Sequence, residues 1–260
     1  MSSLSTVAVA VHDHVAVVTL NRPENANVMN LQMGRDLLEA ALQCERNPAV
    51  RAVVLTGAGK HFCFGGDLRG MMTEGGDLEA YLRELTSFLH QAISHFVRMD
   101  APVIAAVNGT AAGAGVGLVA MADLSLCAES AKFSLAYTGV ALTPDGSTSY
   151  FLPRAIGSKR AMELILTNRT LTAAEALSWG LVNQVVADSE LLAAAMTLAG
   201  RLAAGPRGAF GKSKRLLAAS LGALEAQMVL ESEAIARQAT GPEGREGMLA
   251  FLEKRKPVYV

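Results

Sequence analysis

The stretch between Asp100 and Asp123 constrains the fold more than any other part of the sequence. It reads APVIAAVNGTAAGAGVGLVAMA and contains no charged residue. Its first part, residues 102–107, is an apolar run of the kind that forms a buried strand. Asn108-Gly109 predicts a tight turn, because both residues tolerate a positive φ. The glycine-rich remainder predicts a helix whose first turn presents unpaired backbone N–H groups to a ligand.

This stretch also admits two other interpretations. It is long enough to span a bilayer, and Gly113-x-x-x-Gly117 is a pattern found between packed membrane helices. Against a membrane span, Pro102 and Asn108 interrupt the apolar run and no basic cluster flanks it. A dinucleotide site is only weakly indicated, because Gly113, Gly115 and Gly117 form G-x-G-x-G rather than G-x-G-x-x-G.

Composition limits the classes of protein to consider. The 260 residues are 51% hydrophobic and 18% charged, enough for a substantial core in one large or two modest domains. The net charge of −1 and the lack of a basic patch argue against nucleic acid as a partner. Three cysteines without C-x-x-C spacing favour a reducing cytoplasm. We recognise no signal peptide and no cluster of metal ligands, so we expect no membrane attachment and no metal.

Strand and helix patterns alternate through the first part of the chain. Short β-branched or apolar runs predict strands at 15–20, 50–56, 102–107 and 124–128. Three-to-four spacing of apolar residues predicts helices, of which the clearest are 31–47 and 78–99. Such alternation implies parallel strands joined by crossover connections, and therefore an α/β fold. A shift in composition near Asp188 divides this core, residues 1–187, from a helical region, residues 188–260.

Two glycine-rich segments each follow a predicted strand. Gly65-Gly66 follows strand 50–56, and Gly113 to Gly117 follows strand 102–107. Parallel strands bring their carboxyl ends to one edge of a sheet, where ligands usually bind. Two backbone N–H groups converging there would form an oxyanion hole for a carbonyl oxygen that gains negative charge. The same segments are also explained as ordinary tight turns.

A reaction at such a site needs a base, and Asp145 is the candidate. It lies in Pro144-Asp145-Gly146, ahead of a predicted helix over 147–151. Apolar neighbours such as Leu142 and Phe151 would raise the pKa of a buried aspartate to a useful value. The alternative is structural, because P-D-G is a turn signal and Asp is a favoured helix N-cap.

Several ordered motifs together resemble the crotonase superfamily of enoyl-CoA hydratases and isomerases over nearly the whole chain. These motifs are Leu20-Asn21-Arg22-Pro23, Phe62-Cys63-Phe64-Gly65-Gly66-Asp67-Leu68, Pro102 to Gly109, Ala131-Lys132-Phe133, Ala174-Glu175-Ala176 with Gly180-Leu181-Val182, and Glu246-Gly247-Met248 with Phe251-Leu252. The resemblance implies a spiral of repeated ββα units, followed by C-terminal helices that assemble homotrimers or homohexamers. It also implies an acyl-CoA thioester as the substrate, with no metal or redox cofactor.

The family's site residues carry over by position. Gly66 and Ala114 match the two backbone donors that hold the thioester oxygen. Residues expected to line the acyl-CoA site are Asn25, Ala26, Val28, Phe64, Gly65, Asp67, Leu68, Arg69 and Gly113. Asp67 is also expected to cap the helix after its loop. Lys254 is a candidate to reach the CoA of a neighbouring subunit.

The sequence departs from the hydratase pattern at both catalytic acids. Typical hydratases carry two glutamates, and this chain has Gly117 and Tyr137 at those positions. Thr143 to Gly146, with the upstream Ala-Gly-Ala-Gly, resembles instead the ring-epoxide isomerase branch of phenylacetate degradation, whose members also move a double bond in 3-enoyl-CoA. In that branch, an aspartate at the position of Asp145 is the acid/base.

Three hypotheses follow. The first is an acyl-CoA isomerase that forms an enolate between Gly66 and Ala114, with Asp145 moving the proton. The second is an enoyl-CoA hydratase that uses Asp145 alone with an ordered water, or together with a neighbouring acid that the sequence does not identify. The third, motivated by the loss of both glutamates, is an acyl-CoA-binding subunit without catalytic activity.

Overall fold

The strands of this protein form two sheets, and strands in the middle of the chain belong alternately to one sheet and the other. A computed structural model describes residues 4–73, 76–218 and 220–259. The strands are β1 Val7–His12, β2 Val15–Leu20, β3 Ala52–Gly57, β4 His61–Cys63, β5 Val103–Val107, β6 Thr110–Ala112, β7 Leu124–Ala128, β8 Lys132–Ser134, β9 Leu171–Thr172 and β10 Gln184–Val186. The helices are α1 Leu31–Arg46, α2 Leu68–Thr73, α3 Leu78–Arg98, α4 Ala114–Met121, α5 Thr148–Ile156, α6 Ser158–Thr167, α7 Ala173–Trp179, α8 Leu191–Ala203, α9 Arg207–Leu217, α10 Leu221–Thr240 and α11 Pro242–Leu252.

The larger sheet has the strand order β1-β2-β3-β5-β7-β10. The first two strands form an antiparallel hairpin, and the others are parallel. The inner strand β5 is buried at every position, because it has a neighbour on both sides and helices cover the sheet. The parallel pairing predicted from the alternation of strands and helices is therefore confirmed.

The smaller sheet has the order β4-β6-β8-β9, with β4, β6 and β8 parallel. Each pair β3-β4, β5-β6 and β7-β8 passes from the larger sheet to the smaller one, and helices follow. This repetition is the spiral of ββα units that the family resemblance implied, and that part of the expectation is confirmed. The periodicity did not predict the smaller sheet, because two- and three-residue strands are too short to show alternation.

The stretch after β5 folds differently from the prediction in one detail. Neither Asn108 nor Gly109 has a positive φ. Gly109 is instead required by crowding, since a Cβ there would lie 2.0 Å from the carbonyl oxygen of Lys60. The membrane-span interpretation is wrong, because residues 103–121 form two strands and one eight-residue helix.

The C-terminal helices cover the sheet and extend the core. Helix α8 packs on β3 and β5, and α10 packs along α3. At the start of α1, the side chain of Asn30 accepts from Met33 N, and α7 begins with a capping box formed by Thr172 and Glu175. Within the described residues, no helix has the length and apolar character needed to cross a bilayer.

Candidate active site

Two backbone N–H groups follow adjacent parallel strands of the smaller sheet. Strand β4 leads into Gly66, and β6 leads into Ala114, the first residue of α4. Across the described part of the chain, neither amide nitrogen donates to a protein acceptor. At Ala114 this follows from helix geometry, since the first N–H groups of a helix have no partner within it. Both amides are therefore available to a ligand oxygen.

The loops that carry these two donors lie against each other. A Cβ on Gly65 would lie 3.0 Å from the carbonyl oxygen of Ala112 and 3.3 Å from Cα of Gly113. Gly65 has a φ of 82° and Gly113 a φ of 51°, a backbone region that favours glycine. Both glycines thus permit the close approach that places Gly66 and Ala114 at one edge of the sheet.

Asp145 lies in the turn that enters α5, and this turn reaches the same place. A Cβ on Gly146 would lie 3.2 Å from Cβ of Ala114. Asp145 is only 8% exposed, and its Oδ1 accepts a hydrogen bond of 2.6 Å from the hydroxyl of Tyr137. Burial raises the pKa of Asp145 to about 6, against the opposing effect of the Tyr137 hydroxyl. Such a carboxyl can both accept and return a proton near neutral pH.

The resemblance assigns the two hydratase glutamates to the positions of Gly117 and Tyr137, and the structure shows what surrounds each of these residues. A Cβ on Gly117 would lie 2.2 Å from the carbonyl oxygen of Gly146 and 2.8 Å from Oγ1 of Thr148. The turn that carries Asp145 therefore fills the space that a side chain at 117 would need. Tyr137, the other replacement, donates to Asp145 itself. The turn that carries the carboxylate of Asp145 thus contacts both of these positions.

This crowding predicts a structural cost for any side chain at 117. We expect Gly117→Ala to lower the free energy of unfolding by about 1–3 kcal/mol, because the added methyl group must displace the Gly146 carbonyl. Urea denaturation measures the change. The matched control is Gly200→Ala in α8, where nothing lies within 4 Å of an added Cβ. There alanine should raise stability by up to about 1 kcal/mol through helix propensity. Equal stability of Gly117→Ala and the native chain would contradict the crowding argument.

The expected acyl-CoA loops run side by side. Phe64 N donates to the carbonyl oxygen of Ala26, and Met29 pairs with Gly66 through a parallel bridge. Arg22 Nη1 donates to the carbonyl oxygen of Val28 and, at 3.2 Å, to Asp67. The first loop, which includes Asn25, is thereby fixed against the donor Gly66.

The remaining predicted residues occupy distinct places. Asp67 Oδ1 accepts from Gly70 N, as expected of a helix cap. Leu68 begins α2, and the exposed side chains of Phe64 and Arg69 lie at the surface of this region. Lys254 lies beyond α11 on the surface, and its reach to another subunit stays a prediction.

Sequence reasoning missed two buried titratable residues behind Asp145. His90 on α3 accepts from Gly146 N at 3.3 Å, and Glu231 on α10 accepts from Ser147 N at 2.8 Å. The sequence pattern of α10 contains a sign of Glu231. Leu224, Met228 and Ile235 form the apolar face of this helix, and Glu231 occupies a position on that face where an apolar residue is expected. A polar residue in a core position indicates a specific partner.

Both the sequence and the structure of this chain are similar to those of known proteins. The sequence profile described as enoyl-CoA hydratase/isomerase matches residues 10–260. The chain is 41% identical to a probable enoyl-CoA hydratase of Rhodobacter capsulatus over 258 residues, covering 99% of this chain and 98% of that protein. It is 37% identical to the 1,2-epoxyphenylacetyl-CoA isomerase of Escherichia coli over 247 residues, covering 94% of each. A crystal structure of an enoyl-CoA hydratase from Mycobacterium avium subsp. paratuberculosis matches with a TM-score of 0.89 at 31% identity, covering 99% of this chain and 100% of that one.

Proposed function

This chain belongs to the enoyl-CoA hydratase/isomerase family of the crotonase superfamily, and on that premise we propose that it is an acyl-CoA isomerase. The reaction shifts the double bond of a 3-enoyl-CoA to the 2-position. One observation carries the proposal. The turn that bears the buried Asp145 occupies the space of a side chain at 117, so that a single carboxylate replaces the acid pair of a hydratase. One carboxylate suffices for an isomerase, since no water is added.

The proposed mechanism uses two backbone donors and one acid/base. The N–H groups of Gly66 and Ala114 hold the thioester oxygen. Asp145 removes a proton from C2, and the electron pair of that C–H bond forms a double bond between C1 and C2 while the carbonyl π electrons move onto this oxygen. The donors stabilise the resulting dienolate. Asp145 then returns the proton to C4, which places the double bond between C2 and C3 and restores the carboxylate.

The substrate brings the coenzyme A, and the proposed cycle uses neither a metal nor a redox cofactor. We assign the CoA and acyl contacts to the two adjoining loops and the start of α4. The assigned residues are Asn25, Ala26, Val28, Phe64, Gly65, Asp67, Leu68, Arg69 and Gly113. In support, backbone hydrogen bonds join these loops directly behind Gly66. A small-molecule thioester remains the only partner the mechanism needs.

A ring-epoxide acyl-CoA is the second substrate class within this proposal. The similar Escherichia coli protein is named 1,2-epoxyphenylacetyl-CoA isomerase, and the resemblance to the ring-epoxide branch of phenylacetate degradation points the same way. In this proposal, the N–H groups of Gly66 and Ala114 would hold the thioester oxygen of that substrate as well. Assaying such a substrate beside the straight-chain one defines the specificity.

Hydration is the alternative, favoured by the name of the similar Rhodobacter capsulatus protein. An ultraviolet assay separates the candidates. Purified protein is given 3-hexenoyl-CoA and, separately, 2-hexenoyl-CoA. Moving a double bond into conjugation raises thioester absorbance, whereas hydrating a conjugated double bond lowers it. A rise with the first substrate and no fall with the second supports the isomerase. A fall with the second means a hydratase, and binding without turnover of either substrate or of the ring epoxide means a non-catalytic subunit.

The pH dependence of the isomerase should follow Asp145. The carboxylate must be ionised to accept a proton, so kcat should fall as the pH drops through about 6. We expect Tyr137→Phe to move this acid limb upward by about one pH unit, because the lost hydrogen bond stabilises the ionised form. Tyr150→Phe is the matched control, since that hydroxyl donates to the carbonyl oxygen of Ala218 instead. An unmoved limb in Tyr137→Phe would show that another group titrates.

We further propose that the protein assembles as a homotrimer or homohexamer in the cytoplasm. Large apolar side chains are exposed on the C-terminal helices, as at Leu217, Leu230 and Phe251, which supports burial of this region against other subunits. Cys44, Cys63 and Cys127 are buried free thiols, in keeping with a reducing compartment.

A further inference from the structure

Glu231 is a buried carboxylate that the proposed reaction does not use. It lies on α10 and is 3% exposed, with the buried Met228 and Ile235 on the same helix face. A carboxylate is rarely buried to this extent unless hydrogen bonds satisfy it. Its partners therefore indicate why it is there.

All three hydrogen bonds to Glu231 come from the segment that follows Asp145. Oε2 accepts from Ser147 N at 2.8 Å. Oε1 accepts from Ser149 N at 2.8 Å and from Ser149 Oγ at 2.5 Å. Gln227, one turn before Glu231 in α10, also donates to Ser149 Oγ, at 2.9 Å. Helix α10 thus fixes the backbone at two of the four positions after Asp145.

The other two positions are fixed as well. Gly146 N donates to Nε2 of His90 on α3, and Thr148 N donates to the carbonyl oxygen of Asp145. Every backbone N–H of residues 146–149 therefore has a named acceptor. Gly146 and Ser147 both have positive φ values, of 60° and 63°. A serine in this region is strained and persists only where its surroundings determine it.

The charges around Glu231 agree with this arrangement. His90 Nε2 lies 3.8 Å from Glu231 Oε2, and burial lowers the pKa of His90 to about 4, so the ring is neutral and accepts from Gly146. Burial, with a smaller contribution from the charge of Asp145, raises the pKa of Glu231 to about 7 against the opposing hydrogen bonds from Ser149 and Ser147. The other titratable groups at Asp145 are Tyr137 and the buried thiol of Cys63.

We propose that Glu231 is a positioning residue for the acid/base Asp145. Its carboxylate anchors residues 147–149 to the C-terminal helix, and this anchor holds Asp145 at a fixed place beside Ala114. The inference rests on the proposed isomerase function and adds to it a role for α10. No group of Glu231 needs to touch the substrate.

Two variants separate the effect of the side-chain length of Glu231 from that of its charge. Glu231→Gln keeps the length but presents an amide N–H₂ to one of the N–H donors. Glu231→Asp keeps the charge but falls short by one methylene. We expect each to lower kcat for 3-hexenoyl-CoA by about 10–100-fold, with KM changed by less than about threefold, because misplacement affects the reacting geometry more than substrate binding. Glu225→Gln is the matched control, since this glutamate of the same helix binds Ser94 and Arg98 instead.

The pH profile distinguishes positioning of Asp145 from a general structural role. Because the pKa of Asp145 is about 6 and that of Glu231 about 7, Glu231 is largely protonated while Asp145 ionises. A lost anchor should therefore lower the plateau of kcat in Glu231→Gln while the acid limb stays near pH 6. Native kcat in Glu231→Gln, or an acid limb that moves toward the ordinary aspartate pKa of 3.8 because general disruption has exposed Asp145, would overturn the proposal.

A crystal structure of Glu231→Gln supplies a measurement that does not depend on activity. We expect residues 146–149 to shift relative to Ala114. An unshifted turn would overturn the positioning role. Absence of turnover by the native protein would instead contradict the proposed function. If Glu231→Gln does not fold, Ser149→Ala removes the two hydrogen bonds of Oγ, to Glu231 and from Gln227, and leaves the backbone N–H bonds to Glu231 in place. This variant should still lower kcat by about threefold, and unchanged kcat there would count against the proposal.

Discussion

Replacing Asp145 with asparagine is expected to lower kcat for 3-hexenoyl-CoA by about 10³–10⁴-fold, at the upper end of what an acid/base residue contributes. Asparagine has nearly the same shape, and its side-chain oxygen still accepts from the Tyr137 hydroxyl. What it lacks is the ability to take a proton from C2. The assay is the rise in thioester absorbance at saturating substrate, measured well above pH 6 so that Asp145 of the native protein is ionised.

Substrate binding and folding provide the controls for this variant. Affinity for saturated hexanoyl-CoA, measured by calorimetry, should stay within about threefold, because the oxyanion donors are backbone groups that the substitution does not touch. Asp188→Asn is a matched control at the surface, where the carboxylate accepts from Ser130. A variant of Asp145 that kept more than about a tenth of native kcat would remove this residue from the mechanism.

The same substitution should not destabilise the protein. The folded-state pKa of Asp145 is about 6, above the ordinary value of 3.8, so folding favours the protonated form. The cost of ionising Asp145 is absent below the ordinary value and fully present above about pH 6. Asparagine removes this cost, and the melting temperature of Asp145→Asn at pH 8 should equal or exceed that of the native chain. Loss of activity together with retained stability is the expected result where a functional group is held at the expense of stability.

The sequence predicted the parts of this fold that show a long, regular pattern. Helix 78–99 and the strand at 102–107 were found because their apolar residues repeat at the spacing of a helix or fill a buried strand. The composition could not reveal β4, β6 and β8, although these three-residue strands bring Gly66 and Ala114 together. Their pairing is set by contacts between distant parts of the chain, and a window of a few residues carries no such information.

The residues alone pointed to the two glycine-rich segments as an oxyanion hole and to Asp145 as the base, and the resemblance added the individual donors Gly66 and Ala114. The resemblance assigned one hydratase acid to the position of Gly117. Only the structure shows why a side chain does not fit there, since an added Cβ would lie 2.2 Å from the carbonyl oxygen of Gly146, twenty-nine residues along the chain. The position of Glu231 on the apolar face of α10 marks it as unusual, but the sequence alone does not identify its partners. Its function becomes visible only when α10 is seen to pack beside the turn at 147–149.

Removing the second oxyanion donor is expected to cost about 10²–10³-fold in kcat, the range found when one such donor is lost. Ala114→Pro does this, because proline has no backbone N–H. The substitution suits its location, since Ala114 is the first residue of α4 and proline is favoured at that helical position. The loss should appear mainly in kcat, because the hydrogen bond to the oxygen strengthens as negative charge develops there.

Two comparisons isolate the missing N–H from the presence of a proline ring. Ser158→Pro places proline at the first position of α6. This exposed position, like Ala114, follows a glycine of positive φ, and the variant should keep native kcat. Ala114→Gly retains the N–H and should lose less than about tenfold, as expected of a small change in packing and backbone freedom. If Ala114→Pro folds and turns over substrate within about threefold of the native rate, then the thioester oxygen is not held at Ala114. The isomerase would then have to stabilise its dienolate elsewhere, with Gly66 as the remaining donor to test.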